Sequence, residues 1–498
     1  MDVLLILPPV GPPEVYCKPE NELGPNYKWK LRLTRVPQGL LSIGTVLYNL
    51  GYNVEIFDSR LHYTEGRKEF YRYLRSKVEK ARLLIGMTVM TQMIPQVLRM
   101  IDTIKMVNPD IPIVLGGIHP TLYPEQTCKD SRVNFVIAGD GEYPMAELVQ
   151  ALDKKSSHEN IRGLTHKEND FVKRNPVGRP FDIQRLGTPA YHILEVQHYL
   201  TKIPYYSEEK TIGIEYNSTR GCPYDCSFCV NRILPQNRVW RCKTADQVLD
   251  DLQTLKQRYK IKFLLLEEEN PFTDIKRSFE IAKKLIENDL DIRYFGNIRV
   301  DNVVSTPRDV LKTMEKSGWC ETSLGVESGS NRVLGYLRKG ITVDQTIRAV
   351  KILNDLGVYA LYSFMIFLPH ETSRDRLLTH LLINRLKKIH RRSSVIGPQP
   401  YRPYPCSDLY MDCLNEGLIE PDTFQEWSNF VTNPLSPSDI PWVSDYSWMD
   451  RLLMYYHRLW MYYWEQGLAF CLRNICYDAL NRTIWRTGVT APESRYEF

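Results

Sequence analysis

This chain of 498 residues is marked first by what it lacks. No uninterrupted apolar run approaches the roughly 18 residues that a membrane-spanning helix needs, so a spanning protein is not expected. Neither sign of charge dominates: 64 Lys and Arg against 59 Asp and Glu leave a net +5. That balance is too mild to argue for nucleic acid, and no nucleic-acid partner is expected. There is no low-complexity tract and no fixed-period repeat, which excludes solenoids and arrays. The eleven cysteines show no paired framework and no signal peptide opens the chain. Disulfides are therefore not expected, and the compartment reads as a reducing cytoplasm. The length suggests two or three domains, and 43% hydrophobic residues suffice for a buried core in each.

Three of the cysteines are gathered within eight residues. Arg220-Gly221-Cys222-Pro223-Tyr224-Asp225-Cys226-Ser227-Phe228-Cys229 spaces them as C-x3-C-x2-C. Thiolates hold iron–sulfur clusters, and a cubane with three protein ligands keeps one iron open to an outside ligand. A structural zinc site wants four ligands; the nearest spare thiol, Cys242, lies thirteen residues on, so a zinc knot would be incomplete. The apolar run Thr211 to Tyr216 reads as a strand feeding the loop, and strand carboxyl ends are where α/β barrels put their chemistry.

The motif resembles the signature of the radical S-adenosylmethionine (SAM) enzymes. The resemblance implies a 4Fe-4S cluster held by Cys222, Cys226 and Cys229, with SAM chelating the free iron and reductively cleaved to a deoxyadenosyl radical. It also implies a reducing electron donor such as ferredoxin or flavodoxin.

Residues 1–155 alternate short apolar runs with helical patterns, the order of a doubly wound parallel sheet. Strands are expected at 2–7, 54–58, 83–88, 113–115 and 133–137, with helices over 39–51, 95–107 and 143–152. Two strand ends are glycine-rich, around Gly116-Gly117 and Gly139-Asp140-Gly141, where a backbone without Cβ can approach a ligand; each is also an ordinary tight turn. Together with Pro37-Gln38-Gly39-Leu40 they resemble the cobalamin-binding domain joined to many radical SAM enzymes. That resemblance implies cobalamin, with Thr88, Gly116, Gly117, Gly139 and Gly141 near it; Thr88 could equally just end its strand. None of the ten histidines has aspartate two positions before it, so no histidine is expected below cobalt. His119 is expected to cap a turn.

Residues 156–205 carry turn signals and read as a linker that wraps between domains. From 206 to 405 the α/β rhythm resumes over six strand–helix units, a partial barrel open on one side. Glu267-Glu268-Glu269 closes one strand; it reads as a solvated turn or, by the resemblance, as the partner of the SAM ammonium, with Glu268 and Glu269 the candidates. Arg299 would pair with the SAM carboxylate or make an ordinary surface salt bridge. Glu327 and Ser328, where an apolar strand turns polar, would contact the ribose. Phe367 stands where the family usually has glycine. Residues 406–498 are aromatic-rich, with Trp448 to Trp464 expected as a helix packed on the open barrel, as an apolar substrate wall, or as an interfacial helix in peripheral contact with lipid.

The fold expected is therefore α/β: a Rossmann-like cobalamin-binding sheet, then a partial (β/α)6 radical SAM barrel, then a helical C-terminal segment. The function expected from the resemblance is cobalamin-dependent methylation of an unactivated carbon in a small, apolar or flat substrate. The alternatives are a radical cyclase or carbon–carbon bond-forming enzyme acting on porphyrin or lipid, and a non-catalytic cobalamin or SAM sensor.

Overall fold

Two mainly parallel sheets, whose central strands are largely apolar, organise the chain. The computed structural model describes residues 1–10, 35–62 and 67–430 apart from 170, 203, 205 and 208, together with 440–443 and 450. The first sheet contains β1 (Val3–Leu7), β2 (Val54–Asp58), β3 (Leu84–Thr88), β4 (Ile113–Gly116), β5 (Phe135–Ile137), β6 (Leu164–Glu168) and β7 (Phe171–Arg174), in the order β2-β1-β3-β4-β5-β6-β7. β1 to β5 run parallel. Every residue of Val-Leu-Leu-Ile-Leu in β1 is buried, the near-continuous apolar pattern of a strand covered by helices on both faces. The chain reverses direction across the sheet between β1 and β3, the switch point where open α/β sheets leave a ligand crevice.

The second sheet contains β8 (Thr201–Lys202), β9 (Thr211–Glu215), β12 (Phe263–Leu266), β13 (Arg293–Ile298), β14 (Trp319–Glu327), β15 (Tyr359–Ile366) and β16 (Ser394–Pro400). From β9 to β16 six strands pair in parallel and in chain order. Among the described residues β16 pairs only with β15, and β8 closes the far edge antiparallel to β9. The barrel is partial. A separate ribbon, β10 (Thr219–Arg220) against β11 (Arg241–Cys242), projects between β9 and β12.

The crossover helices start where the sequence supplies caps. Thr244 with Gln247, Thr342 with Gln345 and Thr372 with Asp375 each form a reciprocal capping box, satisfying amides that a helix start leaves without partners. Residues 156–205 contribute to both sheets: β6 and β7 add antiparallel strands beside β5, and β8 joins the barrel. Residues 1–444 form one compact unit. Within it the stretch after the barrel returns to the first sheet, where Trp427 donates from Nε1 to Gln126 at 2.7 Å and Gln425 to Asp130 at 2.7 Å. The aromatic segment from Trp448 to Trp464 lies outside the described residues, as do Cys471 and Cys476. Among the described residues no helix is long and apolar enough to cross a membrane.

Candidate functional site

The cysteine loop leaves the carboxyl end of β9 and is fixed by its own backbone. Gly221 has φ +81°, and a Cβ there would stand 2.5 Å from the Val239 carbonyl and 2.6 Å from that of Asn237; only glycine fits. The tight approach lets the Cys222 N–H donate to the Asn237 carbonyl at 2.7 Å, while the Cys229 N–H donates to Cys226 at 3.1 Å and that of Ser227 to Leu337 at 3.0 Å. On the outer side Asp225 pairs with Arg232 at 2.7 Å, Arg238 at 2.9 Å and Arg338 at 3.3 Å. Burial, and then the neighbouring Cys226 and Cys222, push the Cys229 thiol up to about 11.

The ends of the next strands face this loop with charge. Glu268 is buried and spends both carboxylate oxygens on the stretch leading to the cysteines, accepting from the Ser218 N–H and from the Thr219 hydroxyl. Glu269 is exposed and is an electrostatic neighbour of Cys222 and Arg220. The chain bends here after the strand has ended at Leu266, and the two adjacent carboxylates differ in burial. Arg299 occupies the position just before the helix Val300–Ser305 and is buried. Its fork is held by Asp301 at 2.9 and 3.2 Å and by the Lys339 carbonyl at 2.6 Å, its face lies 3.6 Å from the Tyr224 ring centre, and Nη1 points to Cys226 Sγ at 3.7 Å.

Lys339 adds a second cation here, pairing with Glu327 at 2.8 Å. Against the penalty of burial, Glu327 and then Cys226 hold its ammonium above the ordinary value. Glu327 itself has φ +67°. Ser328 is fully buried; its hydroxyl lies 3.2 Å from that of Thr379 and accepts the Ser330 N–H at 3.1 Å, shaping the turn.

The second cleft lies at the carboxyl ends of β1, β3, β4 and β5, with a volume of about 170 Å³. Its lining includes Gly39, Gly86, Thr88, Gly116, Gly117, Gly139 and Gly141, so much of the wall is bare backbone. Gly117 has φ +97°, and a Cβ there would meet Thr88 Oγ1 at 2.7 Å, which fixes how β3 and β4 end side by side. His119 is not among the lining residues. It is buried, 3.2 Å from the Thr91 hydroxyl, with its ring against Trp427, Phe424 and Tyr123.

The cleft and the cysteine loop meet. Arg220, two residues before Cys222, lines the cleft and pairs with Glu142 at 2.6 Å and Asp140 at 3.7 Å. Arg241 on β11 also pairs with Asp140, and Gln236 donates to the carbonyls of Gly178 at 3.0 Å and Arg179 at 3.2 Å while accepting from the Asp140 N–H. Further along, Glu215 at the end of β9 accepts from the Val36 N–H at 3.2 Å and from Lys202 at 2.7 Å, and its carbonyl accepts from Gln38 at 3.0 Å. Thus the Pro37-Gln38-Gly39 phrase joins the two sheets as well as lining the cleft. Arg220, Glu142, Gln236 and Lys339 are residues of these sites that the sequence alone does not single out. The available signal was position: Arg220 abuts the cysteine motif, and Glu142 ends the Gly-Asp-Gly-Glu turn.

Both places fit the groups expected of them. Three thiols, two of them raised by burial and by one another, form a donor set that a cationic iron centre would relieve, with Arg299 and Lys339 to balance its sulfur charge. Among the described residues no three His, Cys, Asp or Glu side chains converge on a single-ion position; thiols that each hold a different iron of one cluster need not. The glycine-walled cleft, in turn, leaves a buried oxygen of Glu142 without a hydrogen-bond partner.

Comparison with known proteins gives two family matches in the same order: the B12 binding domain over residues 30–149 and the radical SAM superfamily over residues 216–383. An anaerobic magnesium-protoporphyrin IX monomethyl ester cyclase of Rubrivivax gelatinosus is 29% identical over 392 residues, 76% of this chain and 66% of the relative, just under two thirds of its length. An uncharacterized methyltransferase of Pyrococcus horikoshii is 29% identical over 355 residues, 70% of this chain and 72% of the relative. Among solved structures, the radical SAM methyltransferase TsrM of Kitasatospora setae, with cobalamin and a 4Fe-4S cluster bound, superposes with a TM-score of 0.66 at 15% identity, covering 84% of this chain and 79% of that one. The cobalamin-dependent enzyme OxsB with aqua-cobalamin gives 0.62 at 20% identity, covering 82% and 55%; at these identities the likeness is one of fold. The cofactors that go with the two matched domains are a 4Fe-4S cluster, SAM and cobalamin. The chain therefore carries a match to the B12 binding domain ahead of a match to the radical SAM superfamily.

Proposed function

We propose that this protein methylates an unactivated carbon of a small, apolar or flat molecule, with a ferredoxin or flavodoxin as its electron source. The observation that carries the reading is the junction of the two sites: Arg220, beside the cysteines, pairs at 2.6 Å with Glu142 in the wall of the cleft. When bound, the cluster supplies an electron to SAM and cobalamin supplies a transferable methyl group; such cofactors carry the hard chemistry and the protein orients them. Cys222, Cys226 and Cys229 hold the cluster. Glu268 anchors their loop through Ser218 and Thr219. Exposed Glu269 is then the carboxylate that meets the SAM ammonium. Arg299, its fork taken by Asp301, acts on the cluster side through Cys226. Glu327, steadied by Lys339, presents its carboxylate to the ribose hydroxyls, and Ser328 sets the turn that carries it. Gly116, Gly117, Gly139 and Gly141 let the corrin approach the backbone, with Thr88 at its edge.

The names of other relatives support transfer of a methyl group: a cytidylyl-2-hydroxyethylphosphonate methyltransferase of Streptomyces wedmorensis, 22% identical over 436 residues, and a hopanoid C-3 methylase of Methylococcus capsulatus, 22% identical over 332. The second reading, radical ring closure, is favoured by the Rubrivivax cyclase, whose match extends over 392 residues. Anaerobic incubation of the reconstituted protein with methyl-labelled SAM and a small-molecule extract separates the two. A product bearing the labelled methyl, formed together with S-adenosylhomocysteine and deoxyadenosine, supports methylation. An unlabelled product that has lost hydrogen or gained oxygen, with deoxyadenosine alone, overturns it in favour of ring closure.

A further inference from the structure

The Gly139-Asp140-Gly141-Glu142 turn carries two carboxylates with different fates. Asp140 is fully engaged, by Arg241 and Arg220 and by the Phe181 N–H at 2.9 Å. Glu142 is 1% exposed, yet its contacts converge on one oxygen. Oε1 accepts from the Ser42 hydroxyl at 2.6 Å and from Arg220 Nη2 at 2.6 Å, whereas Oε2 is buried with no hydrogen-bond partner. Among the described side chains lining the cleft, Glu142 is the one whose buried polar atom is left in this state. A buried carboxylate oxygen without a donor is costly and calls for an explanation. Ser42 and Arg220 hold Oε1, and Glu142 is itself one of the residues that line the cleft.

We propose that Glu142 is a corrin-recognising residue: its free carboxylate oxygen accepts a hydrogen bond from a primary amide on the cobalamin rim, while Arg220 fixes the other oxygen and ties that contact to the cysteine loop. The inference rests on the assignment of cobalamin to this cleft. An amide is the chemistry that fits, since the corrin perimeter is ringed with primary amides and a carboxylate is an acceptor only. The contact is charge-assisted and therefore among the stronger hydrogen bonds. Loading of the cleft would then be felt at Arg220, two residues from Cys222.

The test uses the full chain with its cluster reconstituted, and reads dissociation constants by absorbance titration under anaerobic conditions. The ligands are cobalamin and the series of its monocarboxylates, in each of which one rim amide is hydrolysed. In the unsubstituted protein one member of the series, the one that sets a carboxylate against Glu142, binds more weakly than cobalamin by about tenfold or more. In E142Q that penalty falls to within about threefold, whereas E147Q, on the exposed side of the same helix, leaves it in place. If E142Q does not fold, the double variant E142L/R220L removes both buried charges together, a replacement that folds tolerate far better than loss of one partner, and the same loss of discrimination is expected. The proposal is overturned if every monocarboxylate binds the unsubstituted protein as cobalamin does, or if the ranking of the series is the same with and without Glu142. If the unsubstituted protein retains no cobalamin at all, the cofactor assignment falls and this proposal with it.

Discussion

Arg299 offers a quantitative handle on the cluster. Its Nη1 stands 3.7 Å from Cys226 Sγ, and a bare unit charge at that distance interacts with a charge on sulfur by about 4 kcal/mol at an effective dielectric of about 20. Asp301, 2.9 Å from Nε, opposes it, leaving about 2 kcal/mol, in line with a hydrogen bond to a charged group. An electron added to a cluster held by Cys226 would feel up to this potential. For a one-electron couple about 59 mV corresponds to about 1.4 kcal/mol, so loss of the pair should lower the midpoint potential by about 85 mV. The variant R299M/D301N removes the cation without leaving Asp301 unpaired, and R299K restores a charge without the fork. An anaerobic potentiometric titration followed by EPR, without SAM, reads the shift directly. R299M/D301N should fall by about 85 mV and R299K by less than half of that. A shift of R299M/D301N below about 20 mV, or in the upward direction, would refute the claim that Arg299 acts on the cluster through Cys226.

Three further outcomes follow from the geometry. Replacing Cys222, Cys226 or Cys229 by alanine should abolish bound iron and deoxyadenosine formation while leaving the circular dichroism unchanged; deoxyadenosine from the triple variant would contradict the assignment. Trp427 is 1% exposed and packs on His119 and Tyr123, so W427A should cost about 3–5 kcal/mol in stability by denaturant titration, and a loss below about 1 kcal/mol would show that this contact is not formed. Burial raises the Glu371 carboxyl to about 8 from its usual 4.5, although the Phe367 and Leu368 amides donate to it at 2.5 and 3.3 Å. A raised pKa means the folded state binds the proton more tightly, so this stability is complete below about pH 4.5 and lost as pH rises through about 8, at most about 5 kcal/mol. Melting temperature should decline over that window in the unsubstituted protein and stay flatter in E371Q; parallel profiles would contradict it.

Much of the fold is legible in the chain because parallel strands buried on both faces are written as short apolar runs, and their helices begin at cap residues such as Thr244 and Thr372. The cysteine loop is legible because its spacing is local. The junction is not: Arg220 and Glu142 are far apart in sequence, and only the fold makes them partners. Glu268 and Glu269 cannot be told apart by composition, yet one is turned inward to Ser218 and the other outward to solvent. Arg299, read as a SAM partner or a surface bridge, is buried with its fork already filled. Phe367 adopts φ +59°, a left-handed backbone that glycine takes up without strain. His119, read as capping a turn, is packed under Phe424 and Trp427, residues that follow the barrel and return across the first sheet; no local pattern announces such a return.

The most direct test of the account is the metal content of the full chain after anaerobic reconstitution with iron, sulfide and cobalamin and removal of unbound cofactor by gel filtration. About four irons and about one cobalt should be retained per chain. An intact cluster with no retained cobalt would contradict it: the glycine-walled cleft would then be a fold without its cofactor, and ring closure or another radical reaction would replace methyl transfer.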